Sequence, residues 1–380
     1  MKPHNIFFVN LFKMKQNFSA KNHLYFLLII LGSLLTNCNP LDKNGGDVSG
    51  TKDEERIQVV KNTTDEKIDI LIDGELFTSY MYPAPAKKPI LFPLKTASGK
   101  SVTRGFPIDP QPWERVDHPH HVGMWFNHGD VNDLDFWNNS DSIPQNRSSH
   151  YGTIYHKGVE STKNGDDYGF LEVKAQWERL DGRIILEENT KYFFRGNENT
   201  RIIDRLTTLT ATEIDVLFKD SKEGMMAIRV NRALELPENR DLILLNEDLI
   251  PVEVKVGTDS RSKGNYLNSE GIEGAAVWGK RAKWVRLSSE IEKEPTGIII
   301  MDHPENPNYP TYWHARTYGL FSANPMGSKD FTRGKETFNY FLPREESVSF
   351  KYRVLIYNGT HPGDSAINLE FDRFVDTFNN

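Results

Sequence analysis

Residues 117–137 read DHPHHVGMWFNHGDVNDLDFW, twenty-one positions that hold four histidines, four aspartates, two asparagines and two tryptophans. An imidazole titrates near neutral pH, and a carboxylate beside it fixes its tautomer and orientation, so the cluster suits general acid–base chemistry. The four histidines are candidate proton carriers, with Asp117, Asp130, Asp133 and Asp135 as carboxylate partners. A second chemistry competes. His118 and His120 are two positions apart, so on a strand they share one face and His121 turns away. Such a pair can give two nitrogens to a divalent metal, with His128, Asp130 or His303 completing the set. The plainer alternatives are that Pro119 interrupts the strand and leaves a hydrogen-bonded edge cluster, and that Asp130 and Asn132 cap turns.

Residues 302–327, DHPENPNYPTYWHARTYGLFSANPMG, repeat the Asp-His-Pro triplet and add His303, Tyr312, Trp313, His314 and Arg316. Apart from His150 and His156, every histidine between the leader and the C-terminal tail falls in one of the two stretches. Two loops meeting over one pocket would produce that clustering, so 117–137 and 302–327 are expected to be facing walls of a ligand site. Between them, Glu270 is flanked by Ser269 and Gly271, which presents a carboxylate on a tight turn. Arg229 sits in an alternating strand, where it either faces solvent or fixes a ligand. Asn132 is a further ligand-binding candidate. Trp125, Trp137, Trp278 and Trp313 offer flat faces for sugar rings, although a single tryptophan is more commonly core.

The elements that must carry these residues are read from period-2 alternation. KIDILIDGELFTSY places Asp73-Gly74 between two alternating runs, and FLEVKAQWERLDGRIILEENTKYFF does the same with Asp181-Gly182, so both read as hairpins. TRIIDRLTTLTA, IDVLFKD and MMAIRVNRALEL continue as short strands, and VSFKYRVLIY puts Val348, Phe350, Tyr352, Val354 and Ile356 on one face. Only DSAINLEFDRFVDTF reads as helix, with Asp364 as N-cap and Ile367, Phe371 and Phe374 along one side. The expected fold is all-β: a large antiparallel β-sandwich with few short helices, one near the C-terminus.

The N-terminus has its own logic. Lys13, Lys15 and Lys21 precede the apolar run LYFLLIILGSLL, too short to span a bilayer and typical of a secretory leader. Cys38, the only cysteine, follows directly, and Leu35-Thr36-Asn37-Cys38 resembles a bacterial lipobox. The resemblance implies cleavage before Cys38 and lipidation of its thiol, with the membrane touched through the anchor alone. The organisation expected is a leader over 1–38, a flexible tether over 39–55, and one β-sandwich domain over 56–380, exported to the bacterial cell envelope on the periplasmic side or outer-membrane surface. A lone cysteine leaves the domain no disulfide and no thiolate ligand. The chain carries −7, and removing the four lysines of the leader leaves −11, which disfavours nucleic acid and suits a neutral or cationic ligand.

The stretches DHPHHVGMWFNHGDVNDLDFW, DSKEGMMAIRV, NSEG with VWGKRAKWV, and DHPENPNYPTYWHARTYGLFSANPMG together resemble a bacterial family labelled PmoA-like, over roughly residues 55–358. The label echoes a multi-spanning methane monooxygenase subunit, and a chain with no spanning run after its leader does not fit that activity. More loosely, the layout is similar to the galactose mutarotase-like supersandwich. That resemblance implies a sugar site on a concave sheet face, with His121 or His128 as the histidine and Glu270 as the carboxylate. The expectation is proton transfer on a mono- or oligosaccharide, oxidised ones included, by an epimerase, mutarotase or lyase. His118, His120, His121, His128, His303, His314 and Glu270 would carry the chemistry, and Arg316 would orient the ligand. Two alternatives stand beside it: a non-catalytic glycan-binding lipoprotein relying on Trp125 and Trp313, and a metal-dependent hydrolase or lyase using His118 and His120. No protein partner is expected.

Overall fold

The alternating runs form strands of two eight-stranded antiparallel sheets. The computed structural model describes residues 55–62 and 66–379, so the leader, Cys38 and all of the tether except Glu55 lie outside the described residues. The first sheet runs, in spatial order, through Ile57–Asn62, Lys67–Ile72, Glu75–Met81, Ile90–Leu91, Met124–His128, Gly224–Arg229, Leu320–Asn324 and Tyr312–Ala315. The second runs through Asn265–Asn268, Trp284–Ile291, Glu294–Asp302, Ser347–Asn358, Thr200–Thr210, Ile184–Gly196, Gly169–Glu178 and Thr153–Lys163. Both expected hairpins are present. Asp73 and Gly74 adopt φ of 55° and 81°, the left-handed pair that a two-residue turn between twisted strands needs.

The sheets pack face to face on one apolar interior. Phe126 of the first sheet meets Trp177 and Phe350 of the second, with ring centroids 6.4 and 5.4 Å apart. Val348, Phe350, Tyr352, Val354 and Ile356 all join that interior, as their spacing requires. The C-terminal helix, Asp364–Phe378, lays Ile367, Phe371 and Phe374 on Trp284, Ile299, Met301 and Leu355 on the outer face of the second sheet. Its N-cap is Gly363 rather than Asp364; the aspartate sits one position later, in the first turn, where its charge suits the helix dipole. One further single-turn α-helix, Ser328–Phe331, and four short 3₁₀ helices complete a mostly β molecule among the described residues. No helix among the described residues is long and apolar enough to cross a membrane.

The four strands at one end of the first sheet, from Met124–His128 to Tyr312–Ala315, matter for function. In register, Trp125 pairs with Ala227, Ala227 with Ser322, and Ser322 with His314. These four side chains therefore form one row on the face opposite the sandwich interior. The two histidine-rich stretches thus enter the same sheet, separated only by Gly224–Arg229.

Candidate functional site

The Asp117-His118-Pro119-His120 segment is a turn and not a strand, with the His121 N–H donating to the His118 carbonyl at 3.0 Å. The shared face expected for His118 and His120 is therefore absent. Proline withholds a ladder donor, and His118 adopts a left-handed φ of 44°, which ends any extended run. The turn leads into the Met124–His128 strand through Gly123 at φ 59°, where a Cβ would stand 2.4 Å from the Leu91 carbonyl oxygen, so only glycine fits.

Arg104 holds this turn. Its buried guanidinium donates to the carbonyls of Asp117 at 2.8 Å, His118 at 3.0 Å and His121 at 2.9 Å, and to Asp117 Oδ1 at 2.8 Å. Arg229 Nη2 donates to the same Oδ1 at 2.7 Å. Arg229 therefore neither faces solvent nor reaches out for a ligand: it is fully buried and fixes the aspartate. Asp117 Oδ2 accepts from His118 Nδ1 at 3.1 Å. Burial alone would raise the Asp117 pKa, but the His118 hydrogen bond and the Arg229 and Arg104 charges outweigh it and hold the carboxyl far below its usual range. Desolvation, then the Arg229 charge, depresses Arg104 to about 9.

The rings stack into a column. Trp125 lies 5.3 Å from His121, His121 4.8 Å from His118, and His118 5.0 Å from Tyr318, with interplanar angles of 19°, 2° and 4°. The column runs from the core to the surface: Trp125 is fully buried, whereas the His118 side chain is 41% exposed. Contrary to strand geometry, His121 turns toward His118 rather than away.

His121 is a neutral spacer. Trp137 Nε1, which can only donate, lies 3.2 Å from His121 Nε2, and an Arg229 Nη1 lies 3.4 Å from Nδ1. A second ring proton would point at a donor, and burial followed by the charges around it pushes His121 well below its ordinary pKa. His120 is likewise held neutral, at about 2, by burial and the nearby Lys88. His118, with Nδ1 on Asp117, leaves Nε2 with no protein partner among the described residues.

On the surface side, Tyr318 Oη and the Arg316 guanidinium also have no hydrogen-bond partner among the described residues. Arg316 lies over the rings of Tyr318 at 5.4 Å and Trp278 at 6.0 Å. Burial raises the Tyr318 pKa, so its hydroxyl stays a donor. Lys222 and Glu223 pair with each other at 2.9 Å on the neighbouring loop, and Glu223 acts electrostatically on Tyr318.

The remaining sequence candidates disperse. His128 donates Nε2–H to the Lys219 carbonyl at 2.7 Å inside the fold, whereas His314, buried and donating Nδ1–H to the Lys222 carbonyl at 2.8 Å, stays close enough to the site for Arg316 and His118 to act on it electrostatically. His303 packs on Phe374 beneath the C-terminal helix. Glu270 does sit on a tight turn, exposed and bonded to Ser269, but its electrostatic neighbour is Tyr309 and not the histidine column. Asn132 pins a turn through Leu217 and Asp215. Tyr312 Oη bonds Glu336 at 2.9 Å. Trp125, Trp137 and Trp313 are fully buried, so no sugar ring can lie on them as they stand; Trp278 alone of the four is partly exposed. His118 and His120 stand edge to face, 5.7 Å between centroids, and no group of three or more His, Cys, Asp or Glu among the described residues is arranged to hold a metal ion. The two stretches do come into contact, through His118 and Tyr318 rather than through His303. Arg104 and Tyr318 went unnoticed in the sequence. Tyr318, two positions after Arg316, lay inside the second stretch, whereas Arg104 carries no local signal.

Neutral buried histidines have a cost in acid. His121, His128 and His314 are buried, and desolvation lowers each, His128 to about 4 and His314 to about 3. Below the unfolded value near 6.5 the unfolded chain takes up protons that the folded chain does not, so stability falls with pH. The ceiling is about 1.4 kcal/mol per pH unit for each ring. Asp302 opposes one of them: burial raises it to about 7, so its contribution falls as pH rises from about 4 to 7. Urea midpoints at pH 7.5, 6.5 and 5.5 are expected to drop steadily below 6.5; a flat profile to pH 5 would contradict the neutral-histidine assignment.

The arrangement defines an antiparallel β-sandwich with an arginine-braced Asp–His pair at the rim of one sheet face. Residues 67–370 match the model of a family of unknown function, DUF6807, and the chain belongs to that family. That description does not carry the PmoA-like label. No curated protein matches in sequence. Among solved structures the chain is similar to the galactosidase domain of the alpha-galactosidase–sucrose kinase AgaSK (10% identity, TM-score 0.37, 80% of this chain and 42% of that one). It is also similar to the GH36 alpha-galactosidase AgaB from Geobacillus stearothermophilus (12%, 0.38, 79% and 41%). This chain therefore spans less than half the length of either. A galactose mutarotase related enzyme from Lactobacillus acidophilus is covered over 98% of its length by 80% of this chain, at 8% identity and TM-score 0.27.

Proposed function

We propose that this protein is an exported, lipid-anchored protein of the bacterial envelope that binds a mono- or oligosaccharide and transfers a proton on it, with His118 as acid–base group. The observation that carries the chemistry is the Asp117–His118 pair with its free Nε2 beside an unpartnered tyrosine hydroxyl and guanidinium. Asp117 accepts Nδ1–H, so neutral His118 presents a lone pair at Nε2 and can take a proton from a sugar hydroxyl or an acidified C–H. The imidazolium formed lies against Asp117, whose charge stabilises it, and returns the proton from the same nitrogen. Tyr318, holding its own proton, donates a hydrogen bond to the oxygen on which charge develops. The sugar assignment is supported by the sequence resemblance to supersandwich proteins and by the partly exposed rings of Tyr318 and Trp278, whose faces suit sugar C–H groups. The anchor is supported by the lipobox-like Leu35–Cys38.

The test is proton NMR of the purified domain in D2O with a panel of aldoses, aldonates and uronates. Anomerisation or deuterium wash-in above the buffer rate is the expected result. Line broadening without exchange would replace this reading by the glycan-binding one, and neither effect on any sugar would overturn both.

A further inference from the structure

We infer that the sugar recognised at this site carries a carboxylate, and that Arg316 is the residue that clamps it; this rests on the carbohydrate reading above. Three observations support an anion. First, Arg316 makes no ion pair or side-chain hydrogen bond among the described residues, yet its guanidinium is held over Tyr318 and Trp278. A planar fork of five donors, fixed by two rings and left without an acceptor, is preorganised for a planar bidentate partner.

Second, the surroundings do not neutralise it. Arg104 and Arg229 share the Asp117 carboxylate, and the carboxylates of Glu235 and Glu114 also act on Arg104, so Asp117 has no charge left over for Arg316. The carboxylate across the cleft, Glu223, is paired by Lys222 at 2.9 Å. Arg316 is thus a cation with no carboxylate committed to it among the described residues, in a chain of net charge −7, and the overall acidity that suggested a neutral or cationic ligand does not describe its position. Third, His118 and Arg316 both lie against the Tyr318 ring, at 5.0 and 5.4 Å, so the clamp and the proton-transfer group belong to one site. A carboxylate fits one guanidinium in charge and shape, whereas a phosphate dianion would need a second uncommitted cation, and Lys222 is committed.

The test is a titration of the purified domain at low salt with D-glucuronate, D-glucose and D-glucose 6-phosphate, followed by NMR or calorimetry. D-glucuronate is expected to bind at least about tenfold more tightly than D-glucose, and the preference to weaken as salt rises. Arg316→Gln is expected to abolish the preference, and Arg316→Lys to restore part of it because charge returns without the fork. Unfolding midpoints of both variants show whether they are folded, and the lysine variant reports if the glutamine variant is not. Equal binding of glucuronate and glucose, or a preference for the phosphate, would overturn the carboxylate assignment while leaving the sugar reading intact. No binding of any of the three, with proton exchange on no sugar of the wider panel, would remove the sugar reading itself.

Discussion

His118→Asn is expected to lower the proton-transfer rate on the responding sugar by about 10²–10⁴-fold, the usual contribution of a positioned acid–base group. Asparagine is the informative replacement. Position 118 has φ 44°, where asparagine is tolerated far better than most side chains, so the turn is not strained by the change. Its amide can still donate to Asp117 Oδ2, which keeps the aspartate and both arginines in place. What disappears is the titratable ring and its stack with His121 and Tyr318, worth about 1 kcal/mol. The urea midpoint should therefore move little while kcat collapses. His121→Asn is the contrasting variant: it breaks the buried bond to Trp137, so it should lose stability before it loses chemistry. A His118→Asn protein with unchanged kcat and raised KM would reduce His118 to a ligand contact and return the catalytic assignment to His314, the other histidine of that sheet face.

The sandwich was legible because alternation and Asp-Gly turns are local signals: a strand with one buried face announces itself residue by residue. Val348 to Ile356 point inward as their spacing requires. The two histidine-rich stretches were legible as neighbours for a compositional reason, since residues of rare chemistry concentrate where chains converge. Which histidine matters was not legible. His118 and His121 differ in role because a proline and a left-handed residue turn the chain, and because Trp137 donates to Nε2 of His121 while Arg229 stands beside Nδ1. Arg104 could not have been singled out, since what it does is bond three carbonyls 13 to 17 residues away. The tryptophans illustrate the opposite error. Their number suggested stacking platforms, yet Trp125, Trp137 and Trp313 fill the fold, and the ring at the surface end of the column is Tyr318, stacked on His118.

Asp117→Ala is expected to destabilise the fold by about 3 kcal/mol, the low end of the penalty for stranding buried charge, because the carboxylate is partly exposed at the rim. Arg104 and Arg229 are essentially buried, 1% and 0% exposed as side chains, and Asp117 is the carboxylate that both contact. Without it, two guanidiniums face each other across a site that water reaches from one side only, and the turn carrying His118 loses its anchor. If repulsion between stranded cations is the cause, removing one of them should help. The double variant Asp117→Ala, Arg229→Met is then expected to recover part of the loss, although Arg229→Met alone also destabilises by leaving Arg104 and Asp117 with a gap beside them. Urea unfolding of the four proteins of this cycle measures the coupling. A single-variant loss below about 1 kcal/mol, with additive double-variant behaviour, would show that Asp117 is not what balances the two arginines. The electrostatic frame of the His118 site would then have to be drawn without it.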